Sequence, residues 1–127
     1  MTSRTSRILF ALASLLSTFG GALHASAFTR AGLATAASNL PAFYKGSLLG
    51  LWLSDSATLF ILALLFGLIA ARPTSATRPT ALLVALIPAV TAAMLYTFLG
   101  IFIAEYLLLL IAALAFTGAL KLGPTSV

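Results

Sequence analysis

Long runs of apolar residues, separated by short polar breaks, dominate the pattern along this 127-residue chain. A helix rises 1.5 Å per residue, so roughly 20 apolar residues are needed to cross a hydrocarbon core about 30 Å thick. Four runs are long enough, and they predict helices over residues 8–27, 47–71, 80–99 and 101–120. The pattern therefore predicts an all-α protein, a four-helix transmembrane bundle in which residues 1–127 form one membrane domain.

Proline and glycine mark the breaks between the predicted helices. Because a proline disfavours the helical conformation of its predecessor, Pro73 predicts that the second helix ends near Ala71. Pro79 suits the first turn of the third helix, where a missing N–H group costs nothing. Gly100 predicts a tight turn between the third and fourth helices.

The connector over residues 28–45 is longer than the other breaks and contains Pro41, which interrupts any helix there. Its spacing of apolar residues is weakly amphipathic, with Phe28, Ala31 and Leu40 on the apolar side. The sequence therefore allows a short interfacial helix between the first and second transmembrane helices.

Composition supports the membrane interpretation and excludes several classes of protein. The chain is 61% hydrophobic and only 7% charged, whereas soluble domains carry about 25% charged residues. A net charge of +5 does not indicate nucleic-acid binding, because the cations flank apolar segments instead of sharing one face. The absence of cysteine excludes disulfides and thiolate metal sites.

The cations predict the orientation of the chain in the membrane. Cytoplasmic loops carry an excess of Lys and Arg. With the N-terminus inside, five cations are cytoplasmic and two are outside. We therefore expect both termini in the cytoplasm of a multi-pass membrane protein. Its compact size favours a bacterial inner (plasma) membrane, and an organellar membrane stays open. The five cations are Arg4, Arg7, Arg72, Arg78 and Lys121, and the two are Arg30 and Lys45.

The first apolar run has an alternative interpretation as a secretory signal. Two arginines precede it, and Ala25-Ser26-Ala27 has the small-residue pattern of a cleavage site. Cleavage after Ala27 would leave three helices. The run extends over about 20 residues, longer than the 7–15 residues of a signal's apolar region, which favours an uncleaved first helix.

Small residues predict how the helices associate, because lipid is as apolar as leucine and only close backbone approach is favourable. The second helix carries a stripe at i+4 spacing, made of Gly46, Gly50, Ser54 and Thr58. This stripe is the predicted helix-packing surface, within the chain or in a homo-oligomer or a larger membrane complex. Pro88 lies near the middle of the third helix and predicts a kink.

The only two acidic residues, Asp55 and Glu105, both lie inside apolar segments. An ionisable residue there costs about 2.5–3.5 kcal/mol on insertion scales, so such residues are functional candidates. By helical rise, they share with His24 and Tyr96 a layer roughly 6–10 Å below the outer edge. These four side chains are the predicted intramembrane polar cluster, a place where a proton can be exchanged.

Each member of the cluster also has a structural alternative. Asp55 suits an N-cap if the second helix begins there. Glu105 can extend to the interface or pair with a cation of the connector. His24 suits a hydrogen-bonded interfacial residue, and Tyr96 suits an interface anchor.

Three functions stay open at the level of sequence, and no motif identifies a family. The first is a non-enzymatic accessory or scaffold component, which short loops and small-residue stripes favour. The second is a proton- or cation-coupled transporter using Asp55 and Glu105. The third is a membrane-embedded enzyme or cofactor carrier using His24, whose neighbours lack metal-ligand spacing. We expect no catalytic residue, no metal and no cofactor, and we expect the lipid bilayer as the principal partner.

Overall fold

The computed structural model describes residues 4–123, and every regular element in that range is helical. Four segments are long and apolar enough to cross a membrane, with mean hydropathies of 1.7, 2.0, 2.2 and 2.1 in chain order. The predicted fold class is confirmed to this extent. The elements are α1 (Arg4–Ser26), α2 (Phe28–Ala37), α3 (Ala42–Ala71), a 3-10 turn (Pro73–Ser75), α4 (Arg78–Leu99) and α5 (Ile103–Leu120).

The helices begin and end near the breaks in the sequence, and the largest difference from the predicted boundaries is at the start of the second predicted helix. The helix predicted from residue 47 begins at Ala42, directly after Pro41, because nothing in the following apolar residues opposes helix. Thr77 caps α4 by accepting a hydrogen bond from the backbone N–H of Thr80. Gly100 has a φ of 71°, a conformation that favours glycine, and it delays the start of α5 to Ile103.

A short helix, α2, occupies the connector between the first two spanning segments. It follows α1 after a break at Ala27, whose backbone is still close to helical. Consequently α1 and α2 run as one nearly continuous rod against α3, and Lys45 Nζ donates to the Ala36 carbonyl oxygen at 2.9 Å. The position of α2 relative to a membrane interface stays a prediction, as does the cytoplasmic location of the termini, which impermeant thiol labelling can test.

The helices pack in the order α3, α1, α5, α4, with α1 between α3 and α5 and with α4 on α5. Small residues form the closest contacts, as expected for helices in lipid. A Cβ atom on Gly20 would lie 3.1 Å from Leu107 of α5, and one on Gly21 would lie 3.3 Å from Leu59 of α3. The faces of α4 and α5 that meet are rich in buried alanine, such as Ala85 and Ala115.

One apolar core joins the four spanning helices at the end that carries Arg4, Arg7, Arg72 and Arg78, which we call the arginine end. Phe10 of α1 is fully buried, and its ring lies 6.0 Å from that of Phe66 in α3. A smaller cluster toward the opposite end contains Leu59, Ala92 and Leu108. These three residues mark a common level across α3, α4 and α5.

The helices have unequal lengths beyond that level. By helical rise, α4 continues about 10 Å to Leu99 and α5 about 8 Å to Ile103, whereas α3 continues about 26 Å to Ala42. Toward the arginine end all three continue about 18–21 Å. The part shared by α4 and α5 thus matches a hydrocarbon core about 30 Å thick. About 15 Å of α3, together with α2, extends past it. We call residues 28–53 the extension.

The predicted packing stripe does not pack within the chain. Gly46, Gly50 and Ser54 are exposed, Thr58 is half-buried, and Cβ atoms on the two glycines would meet nothing within 4 Å. At 100° per residue these positions lie opposite the buried face of α3, which contains Ser56, Leu59, Leu62, Ala63, Phe66 and Ile69. The prediction that this stripe packs against another helix of the same molecule is therefore wrong. Packing of the stripe between molecules stays a prediction.

Pro88 lies inside α4, which runs through it as one helix from Arg78 to Leu99. Its side chain is among the most deeply buried of the described residues, so the proline ring belongs to the packed face of α4. Proline has no backbone N–H group, so the usual helical hydrogen bond to the Val84 carbonyl oxygen is missing. The predicted kink at this position stays a prediction.

Candidate functional site

His24 lies in the last turn of α1, where α1 meets α3 at the base of the extension. Its ring Nδ1 lies 2.9 Å from Ser56 Oγ, and Nε2 lies 3.5 Å from Asp55 Oδ2. About a quarter of the histidine side chain is accessible, against 40% for the aspartate. Two members of the predicted cluster are therefore in contact, in a half-buried setting.

Trp52 completes this contact from one turn earlier in α3. Its indole ring stacks on the imidazole, with ring centroids 4.3 Å apart and planes inclined by 16°. Its Nε1 donates to the His24 carbonyl oxygen at 2.9 Å. The histidine is consequently held by both its ring and its backbone, and α1 is fastened to α3 at this point. We call His24, Trp52, Asp55 and Ser56 the histidine clasp.

The hydrogen-bond network constrains the protons of the histidine clasp. Ser56 Oγ lies 3.2 Å from the Trp52 carbonyl oxygen, to which only the hydroxyl can donate. When it does so, Nδ1 of His24 must donate to Ser56 Oγ, because a hydroxyl has one proton. Nε2 then faces the Asp55 carboxyl, and a favourable contact needs a proton on one of the two groups. The hydrogen bonds thus orient the imidazole of His24 with Nε2 within ion-pair distance of Asp55.

Asp55 does not cap a helix, so that alternative is wrong. It lies well inside α3, which begins at Ala42, whereas an N-cap residue must precede the first turn. Because helix residues three and four apart share a face, Trp52, Asp55 and Ser56 are directed to one side of α3, toward α1. The clasp therefore follows from regular helix geometry with no special backbone.

Glu105 lies in the first turn of α5, where the helix dipole favours a negative charge. Its Oε2 atom is buried and has no hydrogen-bond partner. No ion pair links it to the connector among residues 4–123, and Lys45 instead donates to a backbone carbonyl. An unpaired buried carboxyl oxygen is costly, which singles out Glu105 as a group whose environment is not built for stability alone.

Tyr96 is exposed, with 57% of its surface accessible. The side chain is directed away from the bundle, and its depth in a membrane stays a prediction. The neighbouring Thr97 hydroxyl returns to its own helix, donating to the Ala93 carbonyl oxygen at 2.8 Å. Of the four predicted residues, the structure therefore brings His24 and Asp55 into contact and directs Tyr96 outward.

Sequence reasoning missed Trp52 and Ser56 as partners of the site. Trp52 is the one tryptophan of the sequence and belongs to no motif, and Ser56 is one of many serines. The spacing of Trp52, Asp55 and Ser56 was the available signal, because it places all three on one helix face. Within residues 4–123, no group of three His, Asp or Glu side chains is arranged to hold a metal ion.

Comparison of the chain with protein-family models, curated proteins and solved structures gives no match. The conclusions about this protein therefore come from its own sequence and structure. Its described residues form an all-helical fold with four helices long and apolar enough to cross a membrane, as in a multi-pass membrane protein.

Proposed function

We propose that this protein is a small, non-enzymatic membrane component, an accessory or scaffold subunit that works by assembling with a second copy of itself. The observation that supports this best is the open face of α3 in the extension. Gly46 and Gly50 lie there and Ser54 directly follows, so that the three form an i+4 stripe. Within residues 4–123, no atom lies within 4 Å of a Cβ placed on either glycine.

The size and position of the extension support an assembly role. The helix α3 has 30 residues and a length of about 45 Å, against a hydrocarbon thickness of about 30 Å. The part past α4 and α5 therefore passes through the headgroup region. It nevertheless carries exposed large apolar side chains, including Phe43 at 77% and Leu51 at 67% accessibility. A large exposed apolar surface of this kind is typical of a site that binds another protein or a membrane.

A second copy is the partner that the stripe fits. Two helices approach closely when each offers small residues four apart, and a symmetric dimer presents the same surface on both sides. Gly46 and Gly50 leave the backbone of α3 open on this face, and a Cβ would meet nothing there. The same residues on a second α3 can therefore pack against it without moving any other side chain.

Disulfide cross-linking tests this assembly, and the absence of cysteine from the chain makes each introduced thiol unique. We expect Ser54→Cys to form a covalent dimer in native membranes under mild oxidation, because its position lies at the predicted contact. Leu48→Cys is the matched control: Leu48 is also exposed on α3 but lies about 120° from Ser54 around the helix.

The cross-linking result has two informative outcomes. Dimer from Ser54→Cys and none from Leu48→Cys supports assembly through the stripe, and Gly50→Leu in the Ser54→Cys background should then abolish it. Equal cross-linking at both positions, or none at either, contradicts the proposed interface.

A second candidate, proton- or cation-coupled transport, is favoured by Glu105 Oε2, which is buried without a hydrogen-bond partner. If Glu105 carries a proton, liposomes containing the protein should show proton flux above protein-free liposomes, measured with an internal pH-sensitive dye. Glu105→Gln should abolish that flux, because the amide cannot release a proton. Asp55→Asn is the parallel variant at the histidine clasp. No flux above the protein-free rate would reject transport of protons and leave the assembly proposal standing.

A further inference from the structure

A groove runs between α1 and α3 on the surface of the bundle, and it opens at the arginine end. Two arginines lie at its mouth, and its walls are small or apolar. Adjoining it, and sharing two of its residues, a shallower groove continues along the same helix pair to Thr18 and Leu64. The residues that matter here are Arg4, Arg7, Ala11, Ser14, Gly67 and Ala71.

We propose that this groove binds one anionic phospholipid, with its phosphate at Arg4 and Arg7 and one acyl chain along the seam between α1 and α3. Two features of the site carry the proposal, its charge and its length, and only an anionic phospholipid uses both. The groove begins at the opposite end of α3 from the assembly stripe, and the proposal does not depend on that stripe.

Within residues 4–123, no carboxylate pairs with the two arginines at the mouth of the groove. Both acidic residues of the chain, Asp55 and Glu105, lie toward the opposite end of the bundle. Arg7 Nε donates to the Ala70 carbonyl oxygen at 3.0 Å, which places the guanidinium beside the end of α3. A guanidinium has five N–H donors, so one bond to the backbone leaves donors for a phosphate. Arg4 is exposed one turn earlier on α1.

The walls of the groove suit an acyl chain. Ala11, Ala71 and Gly67 are small, so no large side chain fills the surface groove at these positions. Beneath the groove the two helices are in contact, because a Cβ on Gly67 would lie 3.1 Å from Ser14 Oγ. Ser14 is the polar residue in the floor, and its hydroxyl already donates to the Ala63 carbonyl oxygen at 2.7 Å, so it needs no water. An apolar groove with satisfied polar groups accepts a hydrocarbon chain without leaving a donor unpaired.

The length of the groove matches one leaflet. From Arg7 to Thr18 the axis of α1 advances about 16 Å, close to half of a hydrocarbon core about 30 Å thick. A chain whose phosphate lies at Arg7 would thus end near the bilayer centre. A free inorganic anion would use the arginines but not the apolar length, and a neutral phospholipid would use the length but not the arginines.

Native mass spectrometry of the detergent-purified protein, titrated with phosphatidylglycerol or phosphatidylcholine, tests the proposal. We expect one phosphatidylglycerol to be retained at least roughly tenfold more strongly than phosphatidylcholine, because each arginine near a lipid headgroup strengthens binding several-fold. Arg4→Gln/Arg7→Gln should lose this preference. Arg72→Gln/Arg78→Gln removes the same charge at the same end but outside the groove, and it should keep the preference.

A second set of variants tests the shape of the groove separately from its charge. Ala11→Leu fills the groove and keeps both arginines, so it should lower retention of phosphatidylglycerol. Ala71→Leu, at an exposed position, is a second filling variant in case the first one misfolds, as judged by circular dichroism. Inorganic phosphate at millimolar concentration should not displace the lipid.

The proposal is overturned by any of three results. Equal loss of preference in the two double-arginine variants would mean that net charge alone attracts the lipid. Equal retention of the two lipids by the wild-type protein would mean that the arginines do not distinguish an anionic headgroup from a neutral one. Displacement by inorganic phosphate, or full binding by both filling variants, would mean that the groove does not hold the chain.

Discussion

Replacing Gly118 by leucine is expected to lower the free energy of unfolding by about 1–3 kcal/mol, the usual range for overpacking a closely fitted core. A Cβ at this position would lie 3.1 and 3.2 Å from two ring carbons of Phe10 and 3.4 Å from Leu9 Cβ. The Phe10 ring is fully buried and packs on Phe66, so it cannot move aside. The shift of α5 away from α1 would also strain the bond from Ser6 Oγ to the Gly118 carbonyl oxygen, now 2.8 Å.

Unfolding followed by helicity during titration of dilute mixed micelles with a denaturing detergent measures this loss. Gly50→Leu is the matched control, because a Cβ there meets nothing within 4 Å and the monomer should keep its stability within about 0.5 kcal/mol. Adding Phe10→Ala to Gly118→Leu makes space for the new side chain, so the double variant should be less destabilised than the sum of the two single variants. Additive losses would contradict the proposed contact.

The second large effect is expected at the histidine clasp, where Trp52→Ala should lower the free energy of unfolding by about 2–4 kcal/mol, somewhat less than a fully buried Trp→Ala change. The substitution removes a stacked ring 4.3 Å from the imidazole and a hydrogen bond of 2.9 Å to the His24 carbonyl oxygen. Both contacts join α1 to α3 at the base of the extension, where few others do.

A graded series separates the two contributions. Trp52→Phe keeps an aromatic ring near His24 but loses the N–H donor, so its loss should be closer to about 0.5–1.5 kcal/mol. Tyr44→Ala is the control, an aromatic side chain of the extension that is 57% exposed and should change stability little. If Trp52→Ala and Tyr44→Ala have equal effects under the same detergent titration, the clasp does not fasten α1 to α3.

Much of the helical layout was predictable from the sequence for a simple reason. A segment must supply about 20 apolar residues to cross the hydrocarbon core, and Pro and Gly stop helices by local stereochemistry. Ala71 before Arg72-Pro73 and Gly100 with its positive φ are places where such local rules decide the boundary. The start of α3 at Ala42 was missed because residues 42–46 lie beyond the length needed to span, so hydropathy sets no limit there.

The candidate site shows where such reasoning stops. Helical rise predicts depth, and it placed His24 and Asp55 at the same level, where the structure has them in contact. The same count gave Tyr96 a similar depth, yet its side chain is directed outward. Depth along a helix follows from counting residues, but the rotation of a helix about its own axis does not.

The sequence by itself thus determined the number of helices long and apolar enough to span a membrane, and most of their ends, because those properties depend on segment length and local conformation. Only the tertiary structure decided which face of each helix is buried. Lipid and protein core are equally apolar, so hydropathy does not distinguish them. The choice is made by shape alone: Gly118 and Gly21 admit a neighbouring helix, whereas Gly46 and Gly50, equally small, were left open on the far side of α3.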